Sequence, residues 1–219
     1  MSTLAIYGVG GLGREVLELA TIINKADKRW DDFFFIDDGD VPGVVSGLNV
    51  YKYEEALEKF DKNFELAMGI GEPRTREMLF RKIENDGLVT PTLIHPDVYI
   101  PKSASIGKGV VIQYGCFISC DVKIDDYVYI QPQCNIGHDD ILEKGCMISG
   151  FGNIAGIVRI GEWAYVGMSS AVKEMVSIGA WSVVGMCSMV HKDIPDEMVA
   201  LGNPARPVAR NTDKRVFRD

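Results

Sequence analysis

The sequence predicts a chain of two parts, a small α/β layer structure over residues 1–90 and a parallel β-helix over residues 91–197, closed by a C-terminal tail over 198–219. Three observations predict it. An aliphatic residue recurs at every sixth position from Ile94 to Val190 without a break. Ahead of that run, apolar stretches of strand length alternate with stretches of helical period. Between the first strand and the first helix lies a glycine-rich turn, Gly8-Val-Gly10-Gly11-Leu-Gly13.

In chain order, residues 4–9 read as a buried strand, 12–24 as a helix and 32–36 as a second strand. A short strand over 48–51, a helix over 54–60, a strand over 64–68 and a helix over 73–85 complete the module, with Gly87 as the stop. The glycine turn fits the G-x-G-x-x-G pattern of Rossmann-like units, in which glycines let the backbone approach a phosphate at a helix N-terminus. Asp37 and Asp38 end the second strand, where a carboxylate accepts from a sugar or base. Some 90 residues hold one mononucleotide-binding half, so a nucleotide or nucleotide-sugar fits better than a dinucleotide. Gly10, Gly11, Leu12, Asp37 and Asp38 are the candidate ligand residues; the competing reading is a turn that only packs helix on strand.

A strict period of six matches neither a helix nor a plain alternating strand. It matches a three-sided prism, one hexapeptide per side and 18 residues per coil, with five to six coils stacked about 4.8 Å apart. Small or β-branched residues stand two places before most of the aliphatic ones, as at Val110, Cys116, Val122 and Cys134, and both positions point inward. A sandwich would need turn-rich breaks every 8 to 12 residues or so, and none occurs. The five cysteines form no Cys-x-x-Cys pair, which excludes a zinc ribbon; Cys116, Cys134 and Cys146 fall on the small inward position as core filler. The net charge of −8, from 31 acidic and 23 basic residues, argues against nucleic-acid binding. With no basic, apolar leader and no membrane-length apolar run, a soluble cytoplasmic protein without a membrane anchor is expected.

The order of landmarks Gly8-Val-Gly-Gly-Leu-Gly-Arg-Glu-Val16, Phe35-Ile-Asp-Asp38, Met68-Gly-Ile-Gly71, Asn135-Ile-Gly-His138-Asp139 and Gly202-Asn-Pro-Ala-Arg206 resembles the bacterial sugar acetyltransferases of the sialic acid O-acetyltransferase and UDP-4-amino-sugar N-acetyltransferase (NeuD/PglD-like) type. The resemblance spans nearly the whole chain. It implies a left-handed β-helix, a homotrimer with acetyl-CoA in a groove between subunits, and a nucleotide-sugar acceptor held by the N-terminal module. It places His138 as the catalytic base, Asp139 as the acid that raises its basicity, and Met168 and Met186 along the pantetheine arm. Two departures leave the acceptor open between amine and hydroxyl: Leu12 and Met147 stand where the N-acetyltransferases carry histidines, the second of them in the CoA groove.

The chemistry agrees with that placement. Acyl transfer needs a base near neutral pKa and donors for a developing oxyanion, and no metal. Of three histidines, His95 sits at the domain junction and His191 nearly three coils above His138. Gly156, eighteen residues after His138, stacks one rung above it and offers its N–H as an oxyanion donor. Asp139 faces outward with His138 and Asp140 takes an inward slot; either could orient the ring, and the family pattern favours Asp139. Trp163 and Trp181, also eighteen apart, form a structural ladder, and Arg206 suits a CoA phosphate. Two other functions compete with sugar acetylation: a nicotinamide-dependent oxidoreductase built on the glycine loop, and a non-catalytic nucleotide-sugar-binding trimer.

Overall fold

The computed structural model describes residues 2–217. They cluster into two units, one taking the chain up to Gly71 together with Met78–Leu93, the other Glu72–Glu77 together with the chain from Ile94 onward.

The first unit follows the sequence pattern closely. Its elements are β1 (Thr3–Tyr7), α1 (Gly11–Ala26), β2 (Asp32–Ile36), β3 (Val44–Val45), β4 (Leu48–Tyr51), α2 (Tyr53–Phe60), β5 (Glu65–Met68) and α3 (Pro73–Asn85), the first turn of α3 clustering with the second unit. The sheet order is β3-β4-β2-β1-β5, parallel except for the β3–β4 hairpin. β3 was not expected, because Val44-Val45 is two residues between glycines and too short to show a period. The strand order reverses at β1, flanked by β2 and β5, and the glycine turn leaves its carboxyl end. That is the switch point at which open α/β sheets bind ligands.

The second unit is the left-handed β-helix. Two-residue strands recur every six residues and sort into three parallel faces. Face A runs from Ser105–Ile106 to Ser177–Ile178, face C from Phe117–Ile118 to Met189–Val190, and face B through Val111–Ile112 to Val183–Val184. Each strand pairs with the one eighteen residues on, as Asn135 does with Asn153 and Tyr129 with Met147. The tail does not stand apart: Met198–Leu201 adds a further strand to face B, and Arg206–Arg210 pairs antiparallel with it. Both inward series are buried from Val110 onward, including Ile112, Ile130, Ile148, Cys134 and Cys146, with Ile94, Ile100, Ala104 and Ile106 partly buried at the start, and all five cysteines are free.

At the corners the backbone enters the left-handed region every six residues, at Asp121, Tyr127, Gln133, Asp139, Phe151, Ile157, Trp163 and onward, with glycine only at 109, 115 and 145. Stacking between coils offsets the cost of that conformation, roughly 1 kcal/mol for each L-residue. Trp163 and Trp181 stack at one such corner with ring centroids 5.9 Å apart.

Ile148, fully buried in the middle of face B, is expected to report the prism's packing. Ile148→Ala should lower stability by about 2–5 kcal/mol, against less than about 0.5 for the exposed Lys123→Ala, read from denaturant midpoints.

Candidate functional site

His138 sits on the corner where face C (strand Asn135–Ile136) turns into face A (strand Ile141–Leu142). The turn is built for close approach between coils. A Cβ on Gly137 would come within 2.5 Å of the Ala155 carbonyl carbon and the Gly156 nitrogen, so only glycine fits there. Asp139 takes the left-handed corner conformation, φ 60°, which aspartate tolerates better than most residues. Its carboxylate lies 2.8 Å from His138 Nδ1. Both side chains are a little over half exposed, at 55% and 56%.

With Nδ1 donating to Asp139, His138 keeps its lone pair on Nε2. That nitrogen faces Gly156 one coil above: a Cβ on Gly156 would lie 2.5 Å from it. The N–H groups on either side of Gly156 belong to the coil ladder, Ala155 donating to Val172 and Ile157 to His138. The Gly156 N–H takes no part in that ladder among the described residues. His138 Nε2 thus lies against a residue whose N–H is not spent in the ladder.

Asp140 does not orient the ring. It is fully buried among the inward side chains and accepts hydrogen bonds from the Gly137 and Val158 N–H groups, each at 2.8 Å. Burial pushes its carboxyl up to about 7, while those two bonds and the nearby His138 pull the other way. Of the two acids adjacent to His138, Asp139 is the one in contact with it.

The other expected residues divide by position. Met168 and Met186 are exposed, at 47% and 68%, on the corner between faces B and C. They line an apolar groove of about 670 Å³ with Val183, Leu201, Val208 and Phe217. Met147 differs: it is 2% exposed, on the part of face B where the outward residues Val111 and Tyr129 are also buried, and it does not line the groove. Its outward register alone could not show that the face is covered. Further along the His138 corner, Glu174 stands two coils up and Lys192 three, in a cleft of about 530 Å³ shared with Lys173 and His191. Arg206 is exposed, with Nη1 3.5 Å from His191 Nε2. Lys173 and Lys192 carry no local motif, although their offsets from Gly137 and His138, two and three whole coils of eighteen, place them in the same columns.

In the first unit the glycines of the turn have separate tasks. Gly13 and Gly69 pack helix against strand: a Cβ on Gly13 would meet Gly8 O at 1.8 Å, and one on Gly69 would meet Gly13 Cα at 2.4 Å. Gly10 and Gly11 have nothing within 4 Å and leave the start of α1 open beside Leu12. Asp37 accepts from the Val9 N–H at 3.1 Å and the Gly39 N–H at 2.9 Å, so it shapes the loop. Asp38 accepts from the Tyr53 N–H at 2.9 Å and from the Tyr7 hydroxyl. Its burial would raise its pKa, but those bonds hold it below the ordinary carboxylate value.

Among the described residues no group of histidine, cysteine and acidic side chains is arranged to hold a metal, and no helix is long and apolar enough to cross a membrane. Residues 3–83 match the family described as the PglD N-terminal domain. None of the curated proteins matches the sequence. Among solved structures, the acetyltransferase domain of PglB from Neisseria gonorrhoeae FA1090 is 29% identical with a TM-score of 0.86, covering 94% of this chain and 99% of that one. The same domain is also known in complex with acetyl coenzyme A. PerB from Caulobacter crescentus, in complex with CoA and GDP-perosamine, is 29% identical over 94% of this chain and 97% of that one, with a TM-score of 0.86. WeeI from Acinetobacter baumannii AYE shares the fold at 23% identity and a TM-score of 0.88, over 95% and 100% of the two chains.

The raised pKa of Asp140 has a consequence for stability. Between pH about 4 and about 7 the folded chain holds a proton there that the unfolded chain has lost, so stability falls as pH rises through that window. Asp140→Asn should remove this slope, at most about 1.4 kcal/mol per pH unit, in denaturation midpoints measured against pH.

Proposed function

We propose that this PglD/NeuD-like sugar acetyltransferase moves the acetyl group of acetyl-CoA onto the amino group of a nucleotide-linked amino sugar, with His138 as general base and a homotrimer as the working unit. The carrying observation is the free Nε2 of His138 under the unspent N–H of Gly156, in a coil architecture that PglB and PerB match over 94% of the chain. The PglB domain is an acetyltransferase complexed with acetyl coenzyme A, and PerB is complexed with CoA and GDP-perosamine.

The step balances on these groups. Nε2 takes a proton from the sugar amine as its nitrogen attacks the thioester carbonyl, and Asp139 stabilises the imidazolium through Nδ1. The carbonyl oxygen gathers negative charge and accepts from the Gly156 N–H. As the carbon–sulfur bond breaks, the thiolate of CoA takes the proton back, leaving an amide and free CoA.

Two features support the fit of CoA. The pantetheine arm is a chain of about thirteen bonds, near 15 Å when extended. Three coils of about 4.8 Å separate His138 from Lys192, so a thioester at the base sets its phosphates beside Lys173, Lys192 and Arg206. The apolar wall suited to the arm, Met168 and Met186, lies on a different corner of the same prism. A single chain cannot close both around one ligand.

Face C separates those two corners, and it carries the exposed apolar side chains of the prism. Phe117 lies on the face itself, Tyr114, Phe151, Met168 and Met186 on its corner with face B, and Ile157 and Met175 on its corner with face A. Apolar surface of this kind marks an interface. Three copies packed by face C around an axis bring the His138 corner of each to the methionine corner of the next. The open Gly10-Gly11-Leu12 turn at the sheet's switch point would take the nucleotide, with Asp37 and Asp38 shaping the loop. The oxidoreductase and sensor readings have no comparable observation in their favour.

The test is thiol release from acetyl-CoA against a panel of GDP-, UDP- and dTDP-linked amino and hydroxy sugars. One amino sugar should support turnover, His138→Ala should lower it by roughly two or more orders of magnitude, and Gly156→Ala, whose methyl displaces the ring, by roughly tenfold or more. Turnover unaffected by His138→Ala would overturn the base assignment. Sedimentation should give the mass of three 24.2 kDa chains, and charge placed on face C by Phe117→Glu should lower both that mass and turnover.

A further inference from the structure

We propose that Asp140 is a positioning residue, a buried carboxylate that ties the turn carrying His138 to the turn carrying Gly156 and so holds the base and the oxyanion donor at a fixed separation. This rests on the reading of His138 as the base.

The interior of the prism is a stack of aliphatic, thiol and small side chains, and its other polar members on the second inward position, Ser170, Ser182 and Ser188, are uncharged. A carboxylate there is costly to bury unless its oxygens are satisfied. Asp140 stands at this position directly after His138 and Asp139, and both of its oxygens are engaged. One oxygen accepts from Gly137, the residue before His138. The other accepts from Val158, two residues after Gly156 on the next coil.

The link replaces a piece of the main-chain ladder. On face C, the N–H just after each inward isoleucine or valine donates to the coil above: Ser119 to Ile136, Ala155 to Val172, Lys173 to Val190. At Gly137 the equivalent N–H turns to Asp140 instead. The Val158 N–H, one coil on, donates to the other oxygen of the same carboxylate. The one break in the face C ladder thus lies directly before His138, and the side chain that fills it also reaches the coil of Gly156. A hydroxyl in that slot has too short a reach for two N–H groups on different coils, and valine has no acceptor.

The result expected is a loss of rate without loss of binding. In the trimeric enzyme, Asp140→Ser should lower kcat roughly tenfold or more while KM for acetyl-CoA and for the sugar nucleotide stays within about threefold, because the base and donor shift while the binding surfaces do not. Asp140→Asn, which keeps one acceptor but sets its NH2 against the other N–H, should recover only part of that loss. In hydrogen exchange, peptides covering 137 and 158 should lose protection in Asp140→Ser, and those of the first unit should not change. An unchanged kcat in Asp140→Ser, a fall matched by KM, or full recovery in Asp140→Asn would each overturn the proposal. The failure is separable from that of the function: His138→Ala that kills turnover while Asp140→Ser spares it removes this role alone, whereas turnover that survives His138→Ala removes the base itself.

Discussion

The structure depends on one constraint, the main-chain ladder that binds each coil of the prism to the next. Its donors reach acceptors seventeen residues on, as from Ser105 to Val122, Lys123 to Asp140 and Asn153 to Ser170. With that register held, every outward residue stands above the one eighteen before it. Chemistry can then be assembled in columns from residues that no local motif connects. His138 beneath Gly156, Trp163 beneath Trp181 and Met168 beneath Met186 are three uses of the same arithmetic. The site is accurate because it is mounted on a repeated backbone, with only glycine allowed at position 137, where the coils crowd, and a glycine at 156 that leaves room for the His138 ring.

The glycine turn shows a second kind of economy. Its glycines look alike in sequence, yet Gly13 is needed by the packing of α1 on the end of β1 and Gly8 by its φ of 100° and its close approach to Gly69 and Ile70, while Gly10 and Gly11 border open space. The acids at the end of β2 are likewise committed, Asp37 to the backbone of the loop and Asp38 to Tyr53 and Tyr7. Packing therefore occupies only some members of the motif. The pieces that hold the turn leave its open edge available.

Much of this was legible in the sequence, for physical reasons that also mark where legibility ends. Strict periodicity names inward positions and columns, so the three faces, the buried Cys116, Cys134 and Cys146, and the stacking of His138 under Gly156 could be read directly. Long periodic segments gave α1 and α3 to within about two residues. What depends on partners distant in sequence could not be read: Val44-Val45 pairs only because Leu48–Tyr51 lies beside it, and Met147 has an outward register on a covered face. Asp140 was visibly out of place among small inward residues, but its two N–H partners appear only once the coils are stacked.

The left-handed corners give the chain an unusual unit of length. Residues such as Tyr127, Ile157 and Trp163 hold a backbone conformation that an isolated coil has no means to compensate, so a single storey of the prism is not a folding unit by itself. Changes of chain length within it are therefore quantised. Removing eighteen residues takes out one storey and leaves every column aligned, whereas removing six turns all that follows by one face and carries Lys173 and Lys192 away from the corner that bears the histidine. Such a protein can adjust the span between base and phosphates only in steps of one inter-strand spacing, which ties the height of the prism to the reach of its acyl donor.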